Sequence, residues 1–140
     1  MLKNIYNQKV TILNKLKKSD SQSNLDVWHK TVIDDVAWYE QVERTVMNNS
    51  VAIGSYITCL IPFHEEYLPY SEWRKAGNQD GHYTMSSGDY IVLGEVTEDV
   101  TAQNIVATMT KYEPNVCTVK HCSNAHMRFG ATVQLQVEGT

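Results

Sequence analysis

Residues 87–96 read SGDYIVLGEV. Ser87, Gly88 and Asp89 form a turn signal, Tyr90 to Leu93 is a short apolar run, and Gly94 punctuates its end. A long polar segment lies before this stretch. One amphipathic helix and two strands follow it. Residues 87–96 therefore read as the central strand of a small antiparallel β-barrel, with the rest of the chain wrapped around it. The expected fold is mainly β, with one short α-helix and a long loop extension, in a single domain spanning residues 1–140.

Outward from that strand, residues 9–17 (KVTILNKLK) place Val10 and Ile12 in strand alternation. Residues 19–24 (SDSQSN) have the composition of a turn. Residues 26–45 read as two strands. Val27, His29, Thr31 and Ile33 lie on one face of the first, and Val36, Trp38, Glu40 and Val42 on one face of the second. Asp34-Asp35 is a turn or bulge between them. Asn48-Asn49-Ser50 is a turn that tolerates left-handed backbone. Residues 51–63 (VAIGSYITCLIPF) are the most β-like run, with Gly54 a candidate bulge or close approach and Pro62 ending the pairing. Residues 101–112 (TAQNIVATMTKY) form the best helix, capped by Thr101 or Asp99. Its stripe of Ile105, Val106, Met109 and Tyr112 is expected to pack across a barrel mouth. A strand over residues 115–120, a turn at Ser123-Asn124, and an alternating strand over residues 131–138 complete the chain.

Residues 64–88 (HEEYLPYSEWRKAGNQDGHYTMSSG) are long, polar and aromatic. Ser71 can cap a single helical turn over residues 72–76, which Gly77 can end. A connection of this length in a small domain is usually functional. Aromatic rings on a polar loop resemble interface anchors, so Tyr67, Tyr70, Trp73 and Tyr83, with Arg74, are candidate interface residues. The alternative is a lid whose rings cover one open barrel end, and the two readings are compatible.

Composition narrows the classes of function. The chain has 140 residues, 42% hydrophobic and 20% charged, and a net charge of −4. That suits one globular domain and argues against a dedicated nucleic-acid binder, whose phosphate contacts need clustered cations. The basic run KLKK at residues 15–18 reads as a solvated strand or loop end. No stretch has the length of a membrane span, and the N-terminus lacks the apolar core of a signal peptide, so synthesis in the cytosol is expected. Three cysteines do not make a disulfide framework.

Side chains that could carry chemistry are few. Cys117, His121, Cys122 and His126 are metal-ligand types within ten residues. Structural zinc usually draws from two separated knuckles. On a strand Cys117 and His121 would share one face, too far apart for one ion, while Cys122 would point to the other. Buried cysteines with surface histidines are the plainer reading. Cys59, near His64 and His82 in sequence, sits in the most apolar strand, where burial favours the neutral thiol over a nucleophile. Glu65-Glu66, Asp34-Asp35 and Glu98-Asp99 read as solvated turn and strand-end acids. The glycines form no phosphate-binding loop. The expectation is a protein without catalytic residues and without a cofactor.

The order of parts has a counterpart elsewhere. WHKTVIDDVAWYE (residues 28–40) is followed by an apolar strand ending IPF (residues 61–63) and an aromatic loop carrying SEWRK (residues 71–75). SGDYIVLGEV, a helix ending in KY (residues 111–112), and VCTVKHCSN (residues 116–124) follow. This pattern resembles the small structural proteins of tailed-phage head-to-tail connectors and the wider head-closure, or stopper, group. The resemblance implies a barrel that assembles as a homo-oligomeric ring around the DNA channel. Its neighbours would be the portal or adaptor on the head side and a tail terminator or tail-tube protein on the other. Packaged DNA would pass through without sequence-specific binding, and the protein, made in the host cytoplasm, would reside in the virion with no membrane contact. An acidic chain suits a channel wall that repels phosphate. The alternatives are a tail terminator or another neck protein, and, from a different class, a small zinc-binding hydrolase using the Cys/His cluster.

Overall fold

The structure is a computed structural model. It describes residues 7–20, 25–62, 66–76, 79–126 and 133–139. Six strands close into a barrel in the order β1-β2-β3-β6-β5-β4. They are β1 (Gln8–Leu16), β2 (Val27–Met47), β3 (Ser50–Pro62), β4 (Tyr90–Leu93), β5 (Val116–His126) and β6 (Val133–Gly139). Every pairing is antiparallel. Two short helices accompany them, α1 (Tyr70–Trp73) and α2 (Ile105–Tyr112). The barrel expected from the sequence is therefore present, with a second helix.

β4 is only four residues long, but it closes the barrel between β1 and β5. Both of its faces are buried. Ile91 points into the barrel beside Val10, Ile12, Ile33, Val36, Cys59, Ile61, Cys117 and Val119. Val92 points outward and joins Leu13, Val96, Ile105 and Met109 in a second apolar cluster under α2. A run buried on both sides reads as continuously apolar rather than alternating, as YIVL does. The helix therefore lies on the outer face of β1 and β4, not across a barrel mouth. Its buried stripe is Ile105, Thr108 and Met109, with Tyr112 half-buried, the i, i+3, i+4, i+7 set. Val106, expected on that stripe, is 70% exposed.

Residues 26–45 form one continuous strand, not two. β1 residues Val10 and Gln8 pair with Ile33 and Val36, so β2 contains one extra residue at Asp34-Asp35. Asp35 absorbs it with φ of 60°. Such a bulge flips which side chains face inward. Ile33 faces in before it, and Val36 and Trp38 face in after it. The two faces assigned from sequence to two strands thus belong to one bulged strand. At Gly54 pairing with β2 continues without a shift, so no bulge forms there.

Ser123-Asn124 is not a turn: β5 runs through it, paired with Gln136 and Leu135 of β6. Here cross-strand pairing overrides local turn preference. A register shift between Val119 and His121 also breaks the simple alternation expected to place Cys117 and His121 on one face. α2 begins at Ile105 with Asn104 as its N-cap and no side-chain cap bond, later than the residue 101 start expected, and the expected Thr101 acts in the turn just before it. Thr101 and Asn104 exchange backbone N–H to side-chain oxygen bonds of 2.7 and 3.3 Å, the reciprocal pattern of a capping box.

Candidate functional site

The described part of the 64–88 segment packs onto one end of the barrel. Its first two residues and Gly77 lie outside the described residues. Tyr67 and Tyr83 form a parallel bridge, with Leu68 N–H donating to the Tyr83 carbonyl at 2.9 Å and Tyr83 N–H to the Glu66 carbonyl at 3.0 Å. Their rings lie 5.7 Å apart. Tyr83 and Met85 enter the barrel core itself. α1 begins after Pro69, not at Ser71, because proline presets the entry backbone. Its end is held by the Gln79 side-chain amide, which donates to the Ala76 carbonyl at 2.8 Å and the Trp73 carbonyl at 3.3 Å.

Trp73 is 0% exposed and Tyr83 1% exposed. The Trp73 indole N–H donates to the His82 carbonyl at 3.4 Å, and His29 of β2 meets the ring edge-on. Buried rings cannot serve as surface anchors, so these two belong to the lid reading. Large aromatic area is worth more inside, where an indole N–H finds a partner. Tyr67 and Tyr70 are half-buried and Arg74 is exposed. The Tyr70 hydroxyl donates to Asp20 at 2.8 Å and accepts from Lys17 N–H at 3.3 Å, while Arg74 pairs with Asp20 at 3.4 Å. Burial, then the hydrogen bond to Asp20, raises the Tyr70 hydroxyl above its ordinary pKa. Of the five candidate interface residues, Tyr70 and Arg74 thus cluster around one aspartate, with the Lys17 ammonium 5.1 Å from the Tyr70 ring centre.

The lid is fastened at the stretch that organises the chain. Asp89 is 1% exposed. Its carboxylate accepts from Lys15 N–H (3.1 Å), the Asn14 amide (3.0 Å) and Ser86 N–H (3.0 Å). Asn14 also binds both backbone groups of Thr84. The main chain here also joins β5: the Asp89 carbonyl accepts from Val119 N–H at 2.7 Å, and Gly88 N–H donates to the Val119 carbonyl at 2.9 Å. Burial pushes the Asp89 carboxyl up to about 6, although the three donors and the Lys15 charge pull it down. At the other end of β4, Gly94 N–H donates to the Lys9 carbonyl, and the Thr11 hydroxyl donates to the Gly94 carbonyl while accepting from Val96 N–H. Asn14 and Thr11 were not singled out by sequence reasoning. The available signal was two polar residues inside an apolar strand, each needing a buried partner.

Cys117 is buried, and burial pushes its thiol up to about 12, far from a reactive thiolate. The side chains of His121, Cys122 and His126 lie outside the described residues. Among the described residues no three His, Cys, Asp or Glu side chains are grouped to hold a metal ion. Cys59 is 0% exposed in the barrel core. Asp34 and Asp35 line an open cleft of about 410 Å³ with Thr31, Glu66 and Tyr83, and Asp34 is paired with Lys9 at 3.6 Å. Glu98 accepts from Lys111 (2.8 Å) and the Tyr112 hydroxyl (2.7 Å), which tie the end of α2 to the β4–α2 connection and hold the carboxyl below its ordinary pKa. No described helix is long and apolar enough to cross a membrane.

No curated protein and no solved structure matches the chain. One family model matches residues 5–140, covering nearly all of it. The chain accordingly belongs to the family described as "Family of unknown function (DUF6751)".

Proposed function

We propose that this protein is a structural component of a tailed-phage head-to-tail connector, of the head-closure kind, acting in the virion as a ring around the DNA channel. The observation that carries this reading is a closed barrel whose described interior is an apolar cluster, entered at one end by Tyr83 and Met85 of the lid segment. Such a barrel offers its outer surface and projecting strands for contact with neighbours. The segments that carry the sequence resemblance are also the ones that build this object: WHKTVIDDVAWYE lies in β2, SEWRK at α1, SGDYIVLGEV around β4, and VCTVKHCSN in β5. The zinc-hydrolase alternative needs Cys117 together with His121, Cys122 and His126, and the side chains of the last three lie outside the described residues. Co-assembly tests the proposal. The purified chain, mixed with its portal complex and imaged by electron microscopy, is expected to add a ring at the portal's outer end. A chain that never joins the complex would reject it, and zinc found in stoichiometric amount by elemental analysis would revive the alternative.

A further inference from the structure

β2 and β3 pair without interruption from Ala37↔Leu60 to Met47↔Ser50. Their outer neighbours do not follow them. Among the described residues, β1 flanks β2 only as far as Val36, and β6 flanks β3 only from Ile57 to Pro62. Residues 41–47 and 50–56 therefore project as a two-stranded arm of seven residue pairs. At a rise of about 3.3 Å per residue it reaches roughly 23 Å beyond the barrel wall. The turn at its tip is Asn48-Asn49, with φ of 49° and 63°, the mirror-image hairpin turn that matches strand twist and fixes the arm's register. Beside the turn, Val46 and Val51 sit opposite each other, 67% and 49% exposed.

The outer edge of β3 over residues 51–56, VAIGSY, is unpaired among the described residues. Monomeric proteins guard such edges with charge, proline or a bulge. This one carries no charged residue and no proline, and its register is unbroken. We infer that the residue 51–56 edge of the arm pairs with a strand of a second copy of this chain. The inference rests on the ring reading, in which one repeated contact must serve every copy. Strand addition supplies main-chain hydrogen bonds, and an uncharged edge meets a strand of the next copy without charge repulsion. The arm's residues 41–56 also approach the roughly 20 residues per side of a stable interface. Where the edge meets a different strand of the next copy, the contact is head-to-tail, the kind that generates a ring when its rotation closes.

Sedimentation velocity of the full chain over a wide concentration range tests this, with hydrogen exchange read at residues 51–56. Two variants accompany it. One deletes Thr45, Val46, Val51 and Ala52, two facing pairs, which keeps the alternation and the turn. The other carries Val46→Lys and Val51→Lys at exposed positions that the barrel does not use. The wild-type chain is expected to associate with rising concentration and to protect its 51–56 amides. Both variants should associate at least roughly tenfold more weakly, a loss of about 1.4 kcal/mol, while melting as folded proteins. If the shortened arm fails to fold, the lysine variant decides. Unchanged association in the folded variants would overturn the inference and leave the ring reading standing. A wild type that stays monomeric with fast-exchanging 51–56 amides would overturn it too, and the ring reading would then be judged by co-assembly with the portal.

Discussion

Replacing Asp89 by asparagine separates the charge of the clasp from its shape. The carboxyl is 1% exposed, and burial raises its pKa from 3.8 to about 6. At 1.36 kcal/mol per unit, that difference corresponds to about 3 kcal/mol. The sign follows from proton binding. Between those two pKa values the folded state holds a proton that the unfolded state has lost, so stability falls as pH rises through this window. Below pH 4 the contribution is flat, and above about 7 the full cost of the buried charge is present. Asparagine cannot titrate. It also places an NH2 group where one or two N–H donors now point, an opposition that costs about 1–3 kcal/mol at every pH. The unfolding free energy of the wild type should therefore fall by about 2.5 kcal/mol relative to that of Asp89→Asn between pH 4 and pH 7.5. Urea unfolding of both proteins at several pH values measures it. Parallel pH profiles for the two proteins would refute the claim that Asp89 is ionised and desolvated in the clasp.

Other perturbations follow from the same contacts. Trp73→Ala removes a fully buried ring from under the lid and should cost about 3–5 kcal/mol in denaturant unfolding; a loss below 1 kcal/mol would mean the lid does not hold it. Thr11→Val strips Gly94 O and Val96 N–H of their shared hydroxyl and should cost about 1–3 kcal/mol, read by thermal melting with far-UV circular dichroism. Gly94→Ala meets no atom within 4 Å but must hold φ of 101°, so it should lose about 1–2 kcal/mol from backbone strain alone. An unaltered melting temperature would contradict that.

Much of the barrel is legible in the sequence because its strands are long and locally patterned. Val10 and Ile12, the 51–63 run, and the alternation of Val133, Leu135 and Val137 each announce a strand from a few neighbouring residues. The elements that escape such reading depend on distant partners. Asp34-Asp35 reads locally as a turn or a bulge, and only the pairing of β1 on both sides of it decides for the bulge and joins the two expected strands into one. Ser123-Asn124 is drawn into β5 by β6. The direction of the aromatic rings is equally non-local: nothing near Trp73 in sequence says that His29 will stand against its edge. Asn14 and Asp89 are 75 residues apart, and their bond exists only once β1 and β4 are neighbours. Asp89 could be placed in a turn from Ser87-Gly88, but its role as the fastening of the lid required the closed barrel.

The central claim is assembly, and native mass spectrometry of the full chain mixed with its portal complex tests it most directly. The account predicts a single heavier species in which the portal has gained a fixed, ring-forming number of copies of this chain. A spectrum showing only unmodified portal beside free monomer, at every mixing ratio, would contradict it.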